Sequence, residues 1–224
     1  MTRLIVDTAA RSPFAGPVPV ERDGWLVGTE ATSGPLRLSD LTPVTAMVVH
    51  AEPAGEFAER FGVTVGRAEL FEDGILITSV APGRWFVLAT SSPDAVADQL
   101  SAPLEDEVVT IVDVTHGHAK LRVTGELAAR LLSRLVSVEL SDRIVPYGAV
   151  LRTLVAGVAT TIVRDDLFAT ELGGLETDPD VPSYLLVCDL SEGHALRDAL
   201  LRAGRDLAIA PEGYAAFRSY HTEV

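Results

Sequence analysis

The stretch Val108–Val136, VVTIVDVTHGHAKLRVTGELAARLLSRLV, changes its hydrophobic period halfway along. Its first part is a β-branched run that is typical of a largely buried strand. After a turn-like Thr-His-Gly, apolar and polar residues alternate from Ala119 to Thr124, which predicts a second strand with one face toward the core and one toward water. From Glu126 the period is helical, and Gly125 is the hinge where the strand gives way to a helix.

Composition and charge limit the classes of protein to which the chain can belong. Its 224 residues suffice for a substantial core, and the single cysteine, Cys188, allows no internal disulfide, which indicates a reducing compartment. The formal net charge of −14 argues against nucleic acid and anionic membrane surfaces as partners. No apolar stretch approaches the ~18 residues that a membrane span needs. The sequence therefore predicts a soluble, cytoplasmic protein.

The order of predicted elements occurs twice along the chain. Residues 1–34 are rich in proline, glycine and charge, and we expect an extended leader whose Trp25 docks on the body of the protein or on a partner. Residues 35–105 predict a first β-α-β-β-α unit, and residues 106–224 repeat it with one strand added. The predicted strands are 45–51, 74–80, 84–89, 119–124, 149–155, 158–163 and 184–189, and the predicted helices are 53–61, 92–100, 126–136 and 192–203.

This repetition predicts the fold class. The two units are offset by about 74 residues between Val49 and Val123. We expect an α+β fold of duplicated β-α-β-β-α units, packed together as one compact unit, with helices on one face of each sheet. The strand at 108–114 is expected to cross back to the first sheet.

Several segments resemble one protein superfamily. The segments 112–117 (VDVTHG) and 123–132 (VTGELAARLL) resemble motifs of the aminomethyltransferase, or glycine cleavage T-protein, superfamily. Residues 81–88 (APGRWFVL) resemble a strand of the gamma subunit of heterotetrameric sarcosine oxidase, a small member of that superfamily. Residues 211–223 (PEGYAAFRSYHTE) are similar in spacing to a segment of its folate-binding members. The resemblance covers nearly everything from Leu36 onward and implies the folate-binding fold of one-carbon metabolism.

The resemblance also implies a set of folate-binding residues. These candidates are Asp113, Thr161, Arg164, Tyr184 and Glu223. The residues themselves allow simpler roles, because Asp113 can accept hydrogen bonds from a turn, Arg164 can form an ion pair and Glu223 can be a solvated tail residue.

One departure from the family pattern bears on catalysis. Catalytic relatives carry an aspartate pair after a glycine-rich turn, and the nearest equivalent here, 157–162 (GVATTI), has Thr160 and Thr161 instead. A hydroxyl cannot serve as a carboxylate base or ion partner. Asp165 and Asp166 lie nearby but would need a shift of several residues in register. We therefore assign no catalytic residue.

Other chemistries lack a complete sequence signature. No glycine fingerprint for a dinucleotide follows a strand, so any flavin is expected to reach this chain only through a partner subunit. His116 and His118 flank Gly117 but lack further ligands of suitable spacing, so no metal site is assigned.

Three functions remain open. The first is a non-catalytic aminomethyltransferase-like subunit that assembles with a larger flavin- and folate-dependent amine demethylase or oxidase of the sarcosine type. The second is a stand-alone tetrahydrofolate-binding one-carbon transferase. The third is a homo-oligomeric scaffold, formed by self-association, that has lost the ligand.

Overall fold

A computed structural model describes residues 9–32, 34–71, 74–101, 104, 107–166 and 181–215. In chain order, the strands within these residues are β1 (Ala10–Arg11), β2 (Val20–Arg22), β3 (Trp25–Val27), β4 (Arg37–Asp40), β5 (Thr45–His50), β6 (Ala68–Phe71), β7 (Ile75–Ala81), β8 (Arg84–Ala89), β9 (Thr110–Asp113), β10 (His118–Thr124), β11 (Val150–Val155), β12 (Val158–Arg164), β13 (Ser183–Asp189) and β14 (Ala210–Glu212). The α-helices are α1 (Glu56–Phe61), α2 (Pro93–Ser101), α3 (Ala128–Leu132) and α4 (Gly193–Ala203).

The strands form two large sheets with matching orders. The five-stranded sheet has the order β6-β7-β8-β5-β9, and the six-stranded sheet has the order β11-β12-β13-β10-β4-β14. In the five-stranded sheet, β5 lies between β8 of its own unit and β9 from outside it. In the six-stranded sheet, β10 likewise lies between β13 of its own unit and β4 from outside it. Met47 of β5 and Leu121 of β10 occupy equivalent central positions, 74 residues apart. The duplicated α+β fold is thus confirmed.

The two units exchange one strand each. β9 follows the first unit along the chain and pairs with β5, as expected for the strand that crosses back. β4 belongs to residues 35–105 but pairs with β10 of the second sheet. The division between the sheets therefore does not coincide with a division of the chain at residue 105.

The layers follow the order helix, sheet, sheet, helix. Helices α1 and α2 cover the outer face of the five-stranded sheet, where Phe57 is buried, and α3 and α4 cover the outer face of the six-stranded sheet around Leu131. The inner faces of the two sheets form a third core, in which Leu88 and Leu185 are fully enclosed. The helices thus lie on one face of each sheet, and the second face of each sheet is occupied by the other sheet.

The N-terminal segment is more ordered than an extended leader. Strands β1, β2 and β3 form a three-stranded sheet of their own, in the order β1-β3-β2. Asp23 and Gly24 connect β2 to β3 with positive φ angles of 51° and 76°, the conformation of a tight two-residue hairpin turn. Trp25 is buried in the core between the sheets and stacks on His116, so the prediction that it docks on the body of the protein is confirmed.

One predicted helix needs correction, and a strand of the first unit was not predicted. The helix predicted at 126–136 is only five residues long, and after Leu132 tighter i to i+3 hydrogen bonds, such as Leu135 N–H to the Leu132 carbonyl, mix with i to i+4 bonds. β6 was not predicted, and its presence makes both units β-α-β-β-β-α. Gly125 is the predicted hinge, with φ of 142° and no room for a side chain beside the Pro35 carbonyl.

The expectation that one face of β10 is exposed to water is wrong. Lys120, Arg122 and Thr124 are all buried, because the inner face of the six-stranded sheet is covered by the other sheet and the N-terminal segment. Among the described residues, no helix combines the length and the apolar character needed to cross a membrane.

Candidate functional site

A cleft of about 470 Å³ opens on the six-stranded sheet where β10 to β13 run side by side. Its lining residues are His118, Arg152, Thr153, Leu154, Ala159, Thr160, Thr161, Val187, Cys188 and Asp189. Thr161, a predicted folate-binding residue, lies between its ladder partners Arg152 and Val187. Ala156 and Gly157 turn the β11-β12 hairpin with positive φ angles, which sets this register and brings Arg152 and Thr161 together. The cleft therefore combines one guanidinium, one carboxylate, an imidazole, a thiol, several hydroxyls and apolar side chains.

The titratable groups of the cleft are held by the protein itself. The His118 ring packs edge-on against Phe86 and its Nδ1 lies 3.2 Å from the Val114 carbonyl. Burial lowers the pKa of His118, so the ring is neutral near pH 7. Asp189 accepts hydrogen bonds from the Ser191 hydroxyl and N–H, which lower its pKa. Burial raises the pKa of the Cys188 thiol to about 12, so it is not a thiolate nucleophile at neutral pH.

Two other predicted residues, Arg164 and Tyr184, are ladder partners at the end of the β12-β13 pair. The Arg164 guanidinium donates to Asp166 at 2.6 Å, to Asp142 at 2.9 Å and to the Tyr184 hydroxyl at 3.0 Å. Burial alone would lower the pKa of Arg164, but these partners together raise it. Arg164 and Asp166 are both nearly inaccessible to solvent. The structure thus engages this arginine in an internal ion cluster.

The remaining predicted residues lie apart from the cleft. Asp113 ends β9 on the surface, and its carboxylate accepts the Thr115 N–H at 2.8 Å, the turn-forming role that its sequence context allows. Glu223 lies outside the described residues. Of the five predicted residues, the structure brings together Arg164 and Tyr184 and places Thr161 in the cleft.

Sequence reasoning missed the buried charged groups of β10 and their partners. The Arg122 guanidinium donates twice to Asp165 Oδ2, at 2.7 and 2.9 Å, and both side chains are fully buried. Lys120 Nζ donates to the carbonyls of Val44 at 2.7 Å and Thr115 at 3.1 Å. The available signal was the occurrence of the chain's single lysine in a strand that alternates apolar and polar residues.

Each of the buried carboxylates in the described ranges has an internal donor. Asp40 accepts the hydroxyl of Ser12 and the N–H of Thr42, and Glu212 accepts the hydroxyl of Ser39. Asp165 and Asp166 are held by the two arginines described above. One carboxylate oxygen of Asp165 and one of Glu212 accept no hydrogen bond within the described residues, but both side chains are fully buried. A molecule in the cleft therefore meets no buried carboxylate of the described chain that is free to act as a base.

A second, smaller cavity of about 310 Å³ lies beside the N-terminal sheet. Its wall includes the Trp25 and His116 rings, which stack in parallel with centroids 4.7 Å apart. The N-terminus of α2 and hydroxyl-bearing residues complete it. In the residues that the structure describes, no group of three or more histidine, cysteine or acidic side chains could hold a metal ion.

The family follows from a comparison with family models. Residues 41–224 match the model described as the GCVT N-terminal domain. The chain belongs to this family. No sequence of a curated protein matches the chain.

Solved structures show the same fold as this GCVT-domain protein. A chain of heterotetrameric sarcosine oxidase from Corynebacterium sp. U-96 has a TM-score of 0.63 and 19% identity, over 80% of this chain and 89% of that chain. The glycine cleavage system aminomethyltransferase T from Bartonella henselae has a TM-score of 0.65 and 15% identity, over 95% of this chain and 62% of that chain. The GCVT-domain protein thus spans less than two thirds of the length of the aminomethyltransferase.

Proposed function

We propose that this chain is a non-catalytic aminomethyltransferase-like subunit that assembles with a larger flavin- and folate-dependent amine demethylase or oxidase of the sarcosine type. The observation that carries the proposal is that the buried carboxylates of Asp40, Asp165, Asp166 and Glu212 are held by internal donors. Asp189, which lines the cleft, is held by Ser191, and the lowered pKa makes its carboxylate a weaker base. The cleft therefore offers no free carboxylate among the described residues to act as the base in one-carbon transfer to a folate nitrogen. The likeness to one chain of a heterotetrameric enzyme supports the assembly.

Co-purification tests the proposed assembly. We expect a tagged copy of this chain to retain the flavoprotein subunit encoded beside it, so that flavin absorbance elutes with both chains in size-exclusion chromatography. The control is the same flavoprotein passed over the matrix without this chain. A chain that elutes as a stable monomer in the presence of each co-encoded subunit contradicts the proposal.

A tetrahydrofolate-binding one-carbon transferase is the second candidate. The observation in its favour is the cleft itself, where the Arg152 guanidinium is placed to meet an anionic tail and the hydroxyls of Thr160 and Thr161 can meet polar ring atoms. Arg164, Tyr184, Asp113 and Glu223 remain candidate contacts from the family resemblance.

Titration calorimetry with tetrahydrofolate tests this second candidate. It predicts a saturable heat whose Kd rises about tenfold in Arg152→Ala, since one charge-assisted contact is lost. Arg202→Ala, an exposed arginine on α4, is the matched control and should leave the Kd unchanged. A titration without heat, or an equal effect of both variants, eliminates the cleft as a folate site.

A further inference from the structure

The internal duplication makes β4 and β9 equivalent strands. Leu41 N–H donates to the Lys120 carbonyl beside β4, and Val114 N–H donates to the Ala46 carbonyl beside β9. Each strand ends in an aspartate whose carboxylate accepts the N–H two residues later, Asp40 to Thr42 and Asp113 to Thr115. The two strand ends are therefore built alike, 73 residues apart.

The outer edge of β4 is covered. β14 pairs with it in parallel, with Pro211 opposite Leu38, and the Ala210 N–H donates to the Leu36 carbonyl at 3.0 Å. The Ser39 and Glu212 side chains are joined by a hydrogen bond across the same pair. The backbone groups of β4 that point away from β10 thus have a strand beside them.

The outer edge of β9 has no such strand within the described residues, where the five-stranded sheet ends at β9. Because Val114 N–H points toward β5, the alternation of an antiparallel ladder directs the N–H and C=O groups of Ile111 and Asp113 outward. Ile111 corresponds to Leu38, at the centre of the edge that β14 covers. Beside this edge Val108 and Val112 are 88% and 45% exposed.

The other edges of the two large sheets are protected. β14 carries Pro211, which has no N–H to offer to a further strand. The edges β6 and β11 meet each other through the bridge between Arg67 and Ala149, with the Val150 N–H donating to the Gly66 carbonyl. By contrast, 108–112 (VVTIV) is a β-branched run without proline, the kind of edge that binds another strand when it is left open.

We propose that the outer edge of β9 is the docking site for an extended segment of the partner subunit, which adds a strand parallel to β9 in the position that β14 occupies beside β4. The local charge favours a basic occupant, because Asp113 is exposed at one end of the strand in a chain of net charge −14. The occupant is therefore a basic strand, with lysine or arginine beside Asp113. The inference rests on the proposed function for the identity of the partner.

Hydrogen exchange on the co-purified complex with the flavoprotein subunit tests the docking edge. The amides of Ile111 and Asp113 should exchange freely in the isolated chain and become protected in the complex, because they would then donate to the added strand. Ile111→Pro removes one of these N–H groups, and the edge tolerates it because this N–H does not point toward β5. We expect it to weaken the complex by more than about tenfold.

Ile111→Ala is the matched control, because it loses the same side chain but keeps the N–H. It should bind the flavoprotein within about threefold of the wild type, and equal melting temperatures of the two variants would show that both are folded. Protection by the partner together with a proline-specific loss supports the proposal.

Three results would contradict the proposal that β9 is the docking edge. In the first, the complex forms but the amides of 111–113 stay unprotected. In the second, these amides are already protected in the isolated chain, and in the third they become protected on self-association without the flavoprotein. The first leaves the proposed function intact, because the partner is bound elsewhere. Failure to form any complex removes the proposed function together with this edge, so the two failures are distinguishable.

Discussion

Asp165→Asn is expected to lower the free energy of unfolding by roughly 3–5 kcal/mol, because it leaves the Arg122 charge buried without its carboxylate. Both side chains are fully enclosed, and Asp165 Oδ2 accepts two hydrogen bonds from the guanidinium. Water cannot replace the lost carboxylate there. Denaturant unfolding of both proteins at constant pH measures the difference.

The chain offers a matched control for this prediction. Arg134 and Asp206 form an ion pair with two hydrogen bonds and short distances, but both side chains are substantially exposed. Asp206→Asn removes the same charge from a similar pair on the surface, where water replaces the lost partner. Its effect should be much smaller than that of Asp165→Asn.

A double variant separates the cost of burying the Arg122 charge beside an uncharged residue from the net contribution of the ion pair. Replacing both residues by apolar ones, as in Arg122→Met with Asp165→Leu, should recover part of the stability that Asp165→Asn loses. Equal losses for Asp165→Asn and Asp206→Asn would contradict the assignment of Asp165 as a buried ion partner of Arg122.

Much of the fold could be predicted because the chain's periodicities are local. The β-branched run before Thr115, the alternation after it and the hinge at Gly125 are all visible in one stretch. The Asp23-Gly24 pair was also a readable hairpin signal, and it was missed because the surrounding prolines suggested a leader without regular structure.

The burial of Lys120 and Arg122 could not be predicted in the same way. An alternation of apolar and polar residues shows that a strand has two different faces, but it does not distinguish a face in water from a face satisfied by distant groups. The partners of Lys120 include the Val44 carbonyl, and those of Arg122 include Asp165. Neither is close in sequence to its lysine or arginine.

The contacts within the candidate site were equally hard to predict from local sequence patterns. The family resemblance selected Arg164 and Tyr184, but their adjacency depends on the register of β12 and β13. Asp166 is only two residues beyond Arg164, but the engagement of Arg164 by Asp142 depends on where a distant loop returns to that end of the sheet. These contacts decide whether the guanidinium is available, and no local pattern encodes the contact with Asp142.

The stability of the protein is expected to rise with pH because of Lys120. Burial lowers the pKa of Lys120 from 10.5 to about 7, although Asp40 and Asp113 act in the opposite direction. In the unfolded chain the lysine regains its ordinary pKa. Between these two values the unfolded chain binds more protons than the folded one, so the free energy of unfolding increases as the pH rises.

The size of this change in stability follows from the difference between the pKa of Lys120 in the folded and the unfolded chain. Below pH 7 the lysine is charged in both states and the folded protein bears the full cost of burying the charge, whereas above about 10.5 it is neutral in both. The whole change is about 5 kcal/mol, of which about 2 kcal/mol should fall between about pH 7 and pH 9. Denaturant unfolding at these two pH values measures it.

Lys120→Met isolates this contribution from the other groups that titrate. The variant loses the hydrogen bonds to the Val44 and Thr115 carbonyls, which shifts its stability by an amount that does not change with pH, so the difference in slope between the two proteins reports the charge of Lys120. Direct titration is possible because Lys120 is the only lysine, and protein with labelled lysine should give one resonance that titrates near pH 7. A midpoint near 10, or equal slopes for both proteins, would show that the buried ammonium keeps its charge without cost to folding.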